Sequence, residues 1–124
     1  MKPDMDPSLL CGYFVVEIGV RQAWPYIAFA SNDNGANPAE MRLYIDSGFT
    51  VTPMPIGLGM GEEDEVRRGL LRLAEVVNLT VHEVTVEKDA SLSLSFYGDV
   101  FLHVSGQPAS WTTHDVWWLA AGCR

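Results

Sequence analysis

Leu92-Ser93-Leu94-Ser95-Phe96-Tyr97-Gly98-Asp99-Val100-Phe101-Leu102-His103-Val104 reads as two strands around a tight turn. Leu92, Leu94 and Phe96 alternate with Ser91, Ser93, Ser95 and Tyr97, the period-two pattern of a strand with one buried face. Val100, Leu102 and Val104 resume the alternation after Gly98-Asp99. That pair supplies the backbone freedom a hairpin turn needs. This stretch sets the expectation of a half-solvated antiparallel sheet.

Outward from the hairpin, residues 80–87 add a strand, with Val81, Glu83, Thr85 and Glu87 against His82, Val84 and Val86. Residues 13–20 (YFVVEIGV) and 24–31 (WPYIAFAS) are rich in β-branched and aromatic residues and read as two more strands. Pro25 belongs near the start of its strand, where no ladder bond is lost. Residues 32–38 (NDNGANP) form the strongest loop signal in the chain. Residues 40–46 alternate Met41, Leu43 and Ile45 with Arg42, Tyr44 and Asp46, a strand antiparallel to the one before. Ser47-Gly48 reads as a turn or bulge, with Phe49-Thr50-Val51 as its short continuation. Residues 111–119 read as a last strand.

Residues 62–77 carry the one helical pattern. Val66, Leu70, Leu73, Ala74 and Val77 make one apolar stripe. Glu62, Glu63, Asp64 and Glu65 open it and Arg67, Arg68 and Arg72 follow, an order that suits the helix dipole. Asn78 is its stop. Residues 16–48 and 84–106 share an outline, each a three-stranded meander, with the helix between them. The expected architecture is α+β, mostly antiparallel, with six or seven strands in the order β-β-β-α-β-β-β and a pseudo-two-fold repeat. Residues 1–8 read as a flexible tail and 9–124 as one domain.

Composition narrows the function. The 124 residues are 48% hydrophobic and 19% charged, which is globular rather than disordered. Eight Lys and Arg against 16 Asp and Glu give a net charge of −8. Such a balance disfavours binding to nucleic-acid phosphates. No apolar run is long enough for a membrane span and no secretory signal is seen, so a cytoplasmic location is expected.

The chemistry-bearing motifs are few. Gly57, Gly59 and Gly61 precede the helix, but four carboxylates follow and would repel a phosphate, so a loop is the better reading. His82, His103 and His114 lack metal-type spacing, and no metal or cofactor is expected. Ser47 and Ser105 each precede a glycine without the G-x-S-x-G elbow of a hydrolase. Cys11 and Cys123 carry no catalytic signature. A bridge between them would need adjacent ends. Trp111, Trp117 and Trp118 are the most informative group. Trp117 and Trp118 must face opposite sides of a strand, so one enters the core and the other is covered by a loop, a partner or a second copy.

The hairpin stretch, with Asp115 and then Trp117 or Trp118, resembles a small uncharacterised bacterial domain family whose members read L-x-L-x-F-x-D-G-x-x-L-x-V and then E-x-W. Here Gly98-Asp99 reverses the usual order, and Asp115 stands where Glu is commoner. The likeness spans roughly residues 10–122 in outline and carries over no catalytic residue. Some similar acidic, β-rich bacterial proteins are immunity proteins of polymorphic toxin systems. The leading expectation is a non-enzymatic protein-binding domain, in its sharpest version a toxin-neutralising immunity protein with a basic partner. Its contact residues would be Glu62, Glu63, Asp64, Glu65, Trp117 and Trp118, with the 32–38 loop. Two alternatives stand beside it. One is a small-ligand or enzymatic domain using the open sheet face, with His103, His114 and Asp115. The other is a structural homodimer formed through the terminal strand.

Overall fold

A computed structural model describes residues 6–22, 24–33, 35–36, 38–53, 65–113 and 115–121. The expectations for residues 1–5, the 57–61 loop, Glu62, Glu63, Asp64, His114 and Cys123 lie outside the described residues, and Glu65 is described in its backbone only. Strands β1 (Phe14–Arg21), β2 (Trp24–Ala30), β3 (Glu40–Ile45) and β4 (Phe49–Thr52) precede helix α1 (Glu65–Leu73). Strands β5 (Val81–Val86), β6 (Leu92–Phe96), β7 (Val100–Val104) and β8 (Trp117–Ala121) follow it. They form two four-stranded antiparallel sheets, a first of order β1-β2-β3-β8 and a second of order β4-β7-β6-β5.

The class is α+β and antiparallel, but the strand count and order differ from the expectation. Among the described residues eight strands replace six or seven, four on each side of the helix in sequence. β4 is only four residues long and follows β3 after Asp46, Ser47 and Gly48. The short continuation read at 49–51 is a strand of its own, paired with β7 in the other sheet. The last strand also begins later than residue 111. Thr112 Oγ donates to the Asp46 carbonyl at 2.6 Å, and Thr113 N–H donates to the Asp46 carboxylate at 3.0 Å. These bonds hold 112–113 as loop, outside any ladder.

Both halves of the chain are built alike. Their first three strands make a meander, and the fourth crosses to the other sheet: β4 pairs with β7, and β8 pairs with β3. One core rung runs Ile18–Ile27–Leu43–Leu119 and its counterpart runs Val84–Leu94–Leu102–Val51. In each rung the fourth residue comes from the other half. Burying these apolar side chains together is the main favourable term of folding.

Two seams join the sheets, the first by main-chain hydrogen bonds and the second through a side chain. Phe14 and Thr80 form an antiparallel bridge. Around it Val15 N–H donates to Leu79 C=O at 3.0 Å and Val81 N–H donates to Tyr13 C=O at 2.8 Å. Gly12 N–H reaches Val81 C=O, and Asn78 N–H reaches Val15 C=O, both at 3.0 Å. Gly12 and Asn78 are counterparts here, and both take positive φ, +89° and +71°. Glycine and asparagine tolerate that region best. At the second seam Asp46 N–H donates to Val116 C=O at 2.9 Å and Ser105 N–H to Gly48 C=O at 2.8 Å, each extending the ladder of its own sheet. Ser47 is buried there and its hydroxyl bridges the carbonyls of Ser105 and Val116. Beyond the first seam β1 and β5 each bulge, between Val15 and Glu17 and between Val81 and Glu83. A bulge bends its strand and sharpens the local twist.

α1 packs against β1, β2 and β4. It is shorter than the expected 62–77 within the described residues, because Ala74–Val76 winds as a 3₁₀ turn. The tighter winding turns Val76 into the core and leaves Ala74 and Val77 exposed, so the expected stripe breaks at its last turn.

In the second half, the turn between β5 and β6 is anchored from several sides. Asp89 accepts from Ser91 N–H at 2.9 Å, Ser91 Oγ accepts from Gly106 N–H at 3.1 Å, and Trp117 Nε1–H donates to Ala90 C=O at 2.7 Å. A Cβ on Gly106 would lie 2.0 Å from the Asp89 carbonyl oxygen and 2.5 Å from Ser91 N. Gly106→Ala is therefore expected to destabilise the fold by roughly 1–3 kcal/mol, since backbone on both sides must shift. Urea unfolding read by far-UV circular dichroism checks this, and an unchanged midpoint would contradict the packing.

Candidate functional site: the outer face of the first sheet

The alternation that sends Ile27, Leu43 and Leu119 inward sends their neighbours outward. Two rungs result on the outer face of the first sheet. One is Gly19–Tyr26–Tyr44–Trp118, and the next is Glu17–Ala28–Arg42–Ala120. Trp24 precedes Tyr26 by two residues on β2 and joins them.

The aromatic rings touch in series. Tyr44 stacks on Trp118 with centroids 5.3 Å apart and planes 19° apart. Trp24 meets Trp118 edge-on at 5.1 Å and 85°. Tyr26 lies 5.7 Å from Tyr44 at 52°. Stacked and edge-to-face pairs of this kind add to simple area burial.

Gly19 lets Tyr26 lie down across β1. A Cβ at Gly19 would be 2.7 Å from the Tyr26 hydroxyl oxygen and 2.8 Å from its Cζ. Laid flat, Tyr26 donates its hydroxyl hydrogen to Glu17 Oε2 at 2.6 Å. Arg42 holds its guanidinium 4.7 Å above the Tyr26 ring centroid, a cation–π contact, and 3.9 Å from Glu17 Oε1. Ala28 sits between Glu17 and Arg42 in its rung and is fully buried. Among the described residues Arg42 Nε is buried without a hydrogen-bond partner. Such an orphan donor typically costs about 1–3 kcal/mol. The Arg42 pKa is raised, chiefly by hydrogen bonding with Tyr44. The face thus holds a buried Tyr26, half-buried rings at Trp24, Tyr44 and Trp118, a cation and a carboxylate, groups of the kind used in recognition.

The sister face on the second sheet is a control supplied by the fold itself. Its matching rungs are Thr85–Ser93–His103–Thr50 and Glu83–Ser95–Phe101–Thr52. Hydroxyls and one histidine stand where the first sheet has Tyr26, Tyr44 and Trp118. Ser93 Oγ and His103 Nδ1 are 3.1 Å apart. No Phe, Tyr or Trp stands at the four positions that match Gly19, Tyr26, Tyr44 and Trp118, and Phe101 is the one aromatic ring of the second rung.

Among the residues singled out from sequence, Trp118 lies on this face. Trp117 points the other way, packs against the core and binds Ala90 C=O. Its placement is that of a core residue and a turn anchor. His103 lies on the outer face of the second sheet, and Asp115 is exposed in the loop before β8, so the two do not share a face. The loop after β2 is turned by Asp33, which accepts from Gly35 N–H at 3.0 Å, and Tyr13 O–H donates to Pro38 C=O. That loop leaves β2 at Ala30, the end away from Trp24. Sequence reasoning did not single out Trp24, Tyr26, Tyr44, Arg42 and Glu17. The usable signal was phase: Tyr26, Arg42 and Tyr44 each sit beside a core residue of the opposite parity. Among the described residues no group of three His, Cys, Asp or Glu side chains could hold a metal ion, and no helix is long and apolar enough to cross a membrane. No protein-family model, curated protein or solved structure matches this chain.

Tyr26 gives the site a pH signature. Its pKa is raised above the ordinary value near 10, first by the hydrogen bond to Glu17, then by burial and the Glu17 charge, with Arg42 opposing. The unfolded chain releases this proton near pH 10. The contribution to stability is therefore complete below that pH and is lost as pH rises through the higher folded value. Tyrosinate absorbance, assigned with Tyr26→Phe, should show Tyr26 ionising above 10 and shifting down in Glu17→Gln. An unmoved Tyr26 titration in Glu17→Gln would break the assigned bond.

Proposed function

We propose that this chain is a non-enzymatic protein-binding domain that meets its partner with the outer face of the first sheet. One observation carries the reading: two sister faces on one frame, of which only the first carries a layer of Trp24, Tyr26, Tyr44 and Trp118. The sister face has no matching layer, which supports a role for these rings beyond packing. Trp, Tyr and Arg dominate the energetic centres of protein interfaces, and Arg42 stands among the rings.

The net charge of −8 supports a basic partner, since opposite charge raises the encounter rate and selects against wrong partners. Glu62, Glu63, Asp64 and Glu65 would act in steering, and Trp118 and Tyr44 in the contact. The sharpest version is an immunity protein that neutralises a basic toxin in the bacterial cytoplasm.

The test compares capture from the native host's lysate by wild type, Trp118→Ala, Tyr44→Ala and Phe101→Ala, each checked for an intact melting transition. A partner held by wild type should be lost about 30-fold or more with Trp118→Ala or Tyr44→Ala, the effect of a hot-spot residue. Phe101→Ala, on the sister face, should leave it bound. Equal capture by all four proteins would refute the assignment of this face.

A further inference from the structure

We propose that β8 pairs with β8 of a second copy, antiparallel, about a two-fold axis at Leu119. This rests on the edge of the first sheet and is independent of the partner-binding reading.

Among the described residues β8 pairs with β3 on one side, and no strand pairs with it on the other. An unpaired edge is a template for another strand, and proteins normally guard such edges with charge, proline, bulges or a covering element. The other three edges here are guarded. β1 bulges and carries Glu17 and Arg21, and β5 bulges and carries Glu83. β4, the counterpart of β8, has α1 packed against it and Pro53 directly after it. β8 reads Trp117-Trp118-Leu119-Ala120-Ala121, with no charge, proline or bulge.

Charge selects the occupant. A chain of net charge −8 repels its own copy except along a neutral strip; β4 and β8 are the edges without a charged side chain, and β4 has α1 packed against it, which leaves β8. β5 paired with itself would instead set its glutamate against a like charge.

Size complementarity selects the register. Antiparallel pairing centred on Leu119 sets Trp118 of each copy opposite Ala120 of the other, and Trp117 opposite Ala121. Each large ring meets a small residue twice over. The Trp118–Ala120 pairs lie on the outer face, so the aromatic layers of the two copies become continuous in one eight-stranded sheet. A five-residue strand pair buries less than the roughly 1,200–2,000 Å² of a stable dimer, so micromolar rather than nanomolar association is expected.

Sedimentation velocity of the full chain in reducing buffer, from low to high micromolar, tests this. Wild type should pass reversibly from monomer to dimer. Ala120→Trp sets two indoles against each other and should stay monomeric, and Trp118→Ala/Ala120→Trp should dimerise again because the large–small pairs are restored in exchanged positions. Ala120→Lys puts a charge on the neutral strip and should also stay monomeric; it tests the pairing if Ala120→Trp fails to fold. A wild type monomeric throughout, or an Ala120→Lys variant that dimerises like wild type, would overturn the proposal.

Discussion

The main-chain bonds around Phe14 and Thr80 hold the architecture together. A four-stranded sheet with one apolar face is not stable alone. It must bury that face, and here two such sheets bury theirs against each other. The seam sets how they meet. Val15 and Val81 each donate across it, and each is buried at the point where its own strand starts to bulge away. The exchange of β4 and β8 completes the lock, because neither core rung is whole without a residue from the other half. Asp46 and Ser47, each 4% exposed, are the polar cost of that exchange, and their bonds to the 105–116 segment offset it.

The outer faces lie on the far side of each sheet from this core. The two faces differ in what they carry. The second sheet carries Ser93, Ser95, Thr50 and Thr85, small side chains that suit a solvated surface. The first carries stacked rings and a three-way arrangement of Tyr26, Glu17 and Arg42 that leaves Arg42 Nε orphaned. Stability alone would not select an orphaned donor beside a half-buried cation. Recognition of another molecule is a reason to keep a rigid, pre-arranged group of this kind, because ordering costs at binding are then small.

Much of the fold was legible along the chain. Strict alternation located β3, β6 and β7 almost to the residue, and Gly98-Asp99 marked a turn in which both residues take positive φ. The likeness of the two halves was visible as pattern. The exchange of fourth strands was not, because periodicity says which residues share a face and nothing about which sheet a strand joins. Asp46 shows the limit: its alternation extends β3 by one residue, but its carboxylate and carbonyl are taken by Thr113 and Thr112. The candidate site was half legible. Leu119 in the core implies Trp117 inward and Trp118 outward by parity. That Tyr26 and Tyr44 join Trp118 depends on the register of β2, β3 and β8, which long-range pairing sets.

Native-state hydrogen exchange at the amides of Val15 and Val81 is the most direct test of the seam. If it locks both halves into one cooperative unit, the two amides exchange only through global unfolding, with the same free energy and the same denaturant dependence. Exchange of Val81 through a smaller opening while Val15 stays protected, or the reverse, would show that the halves open separately and would contradict this account.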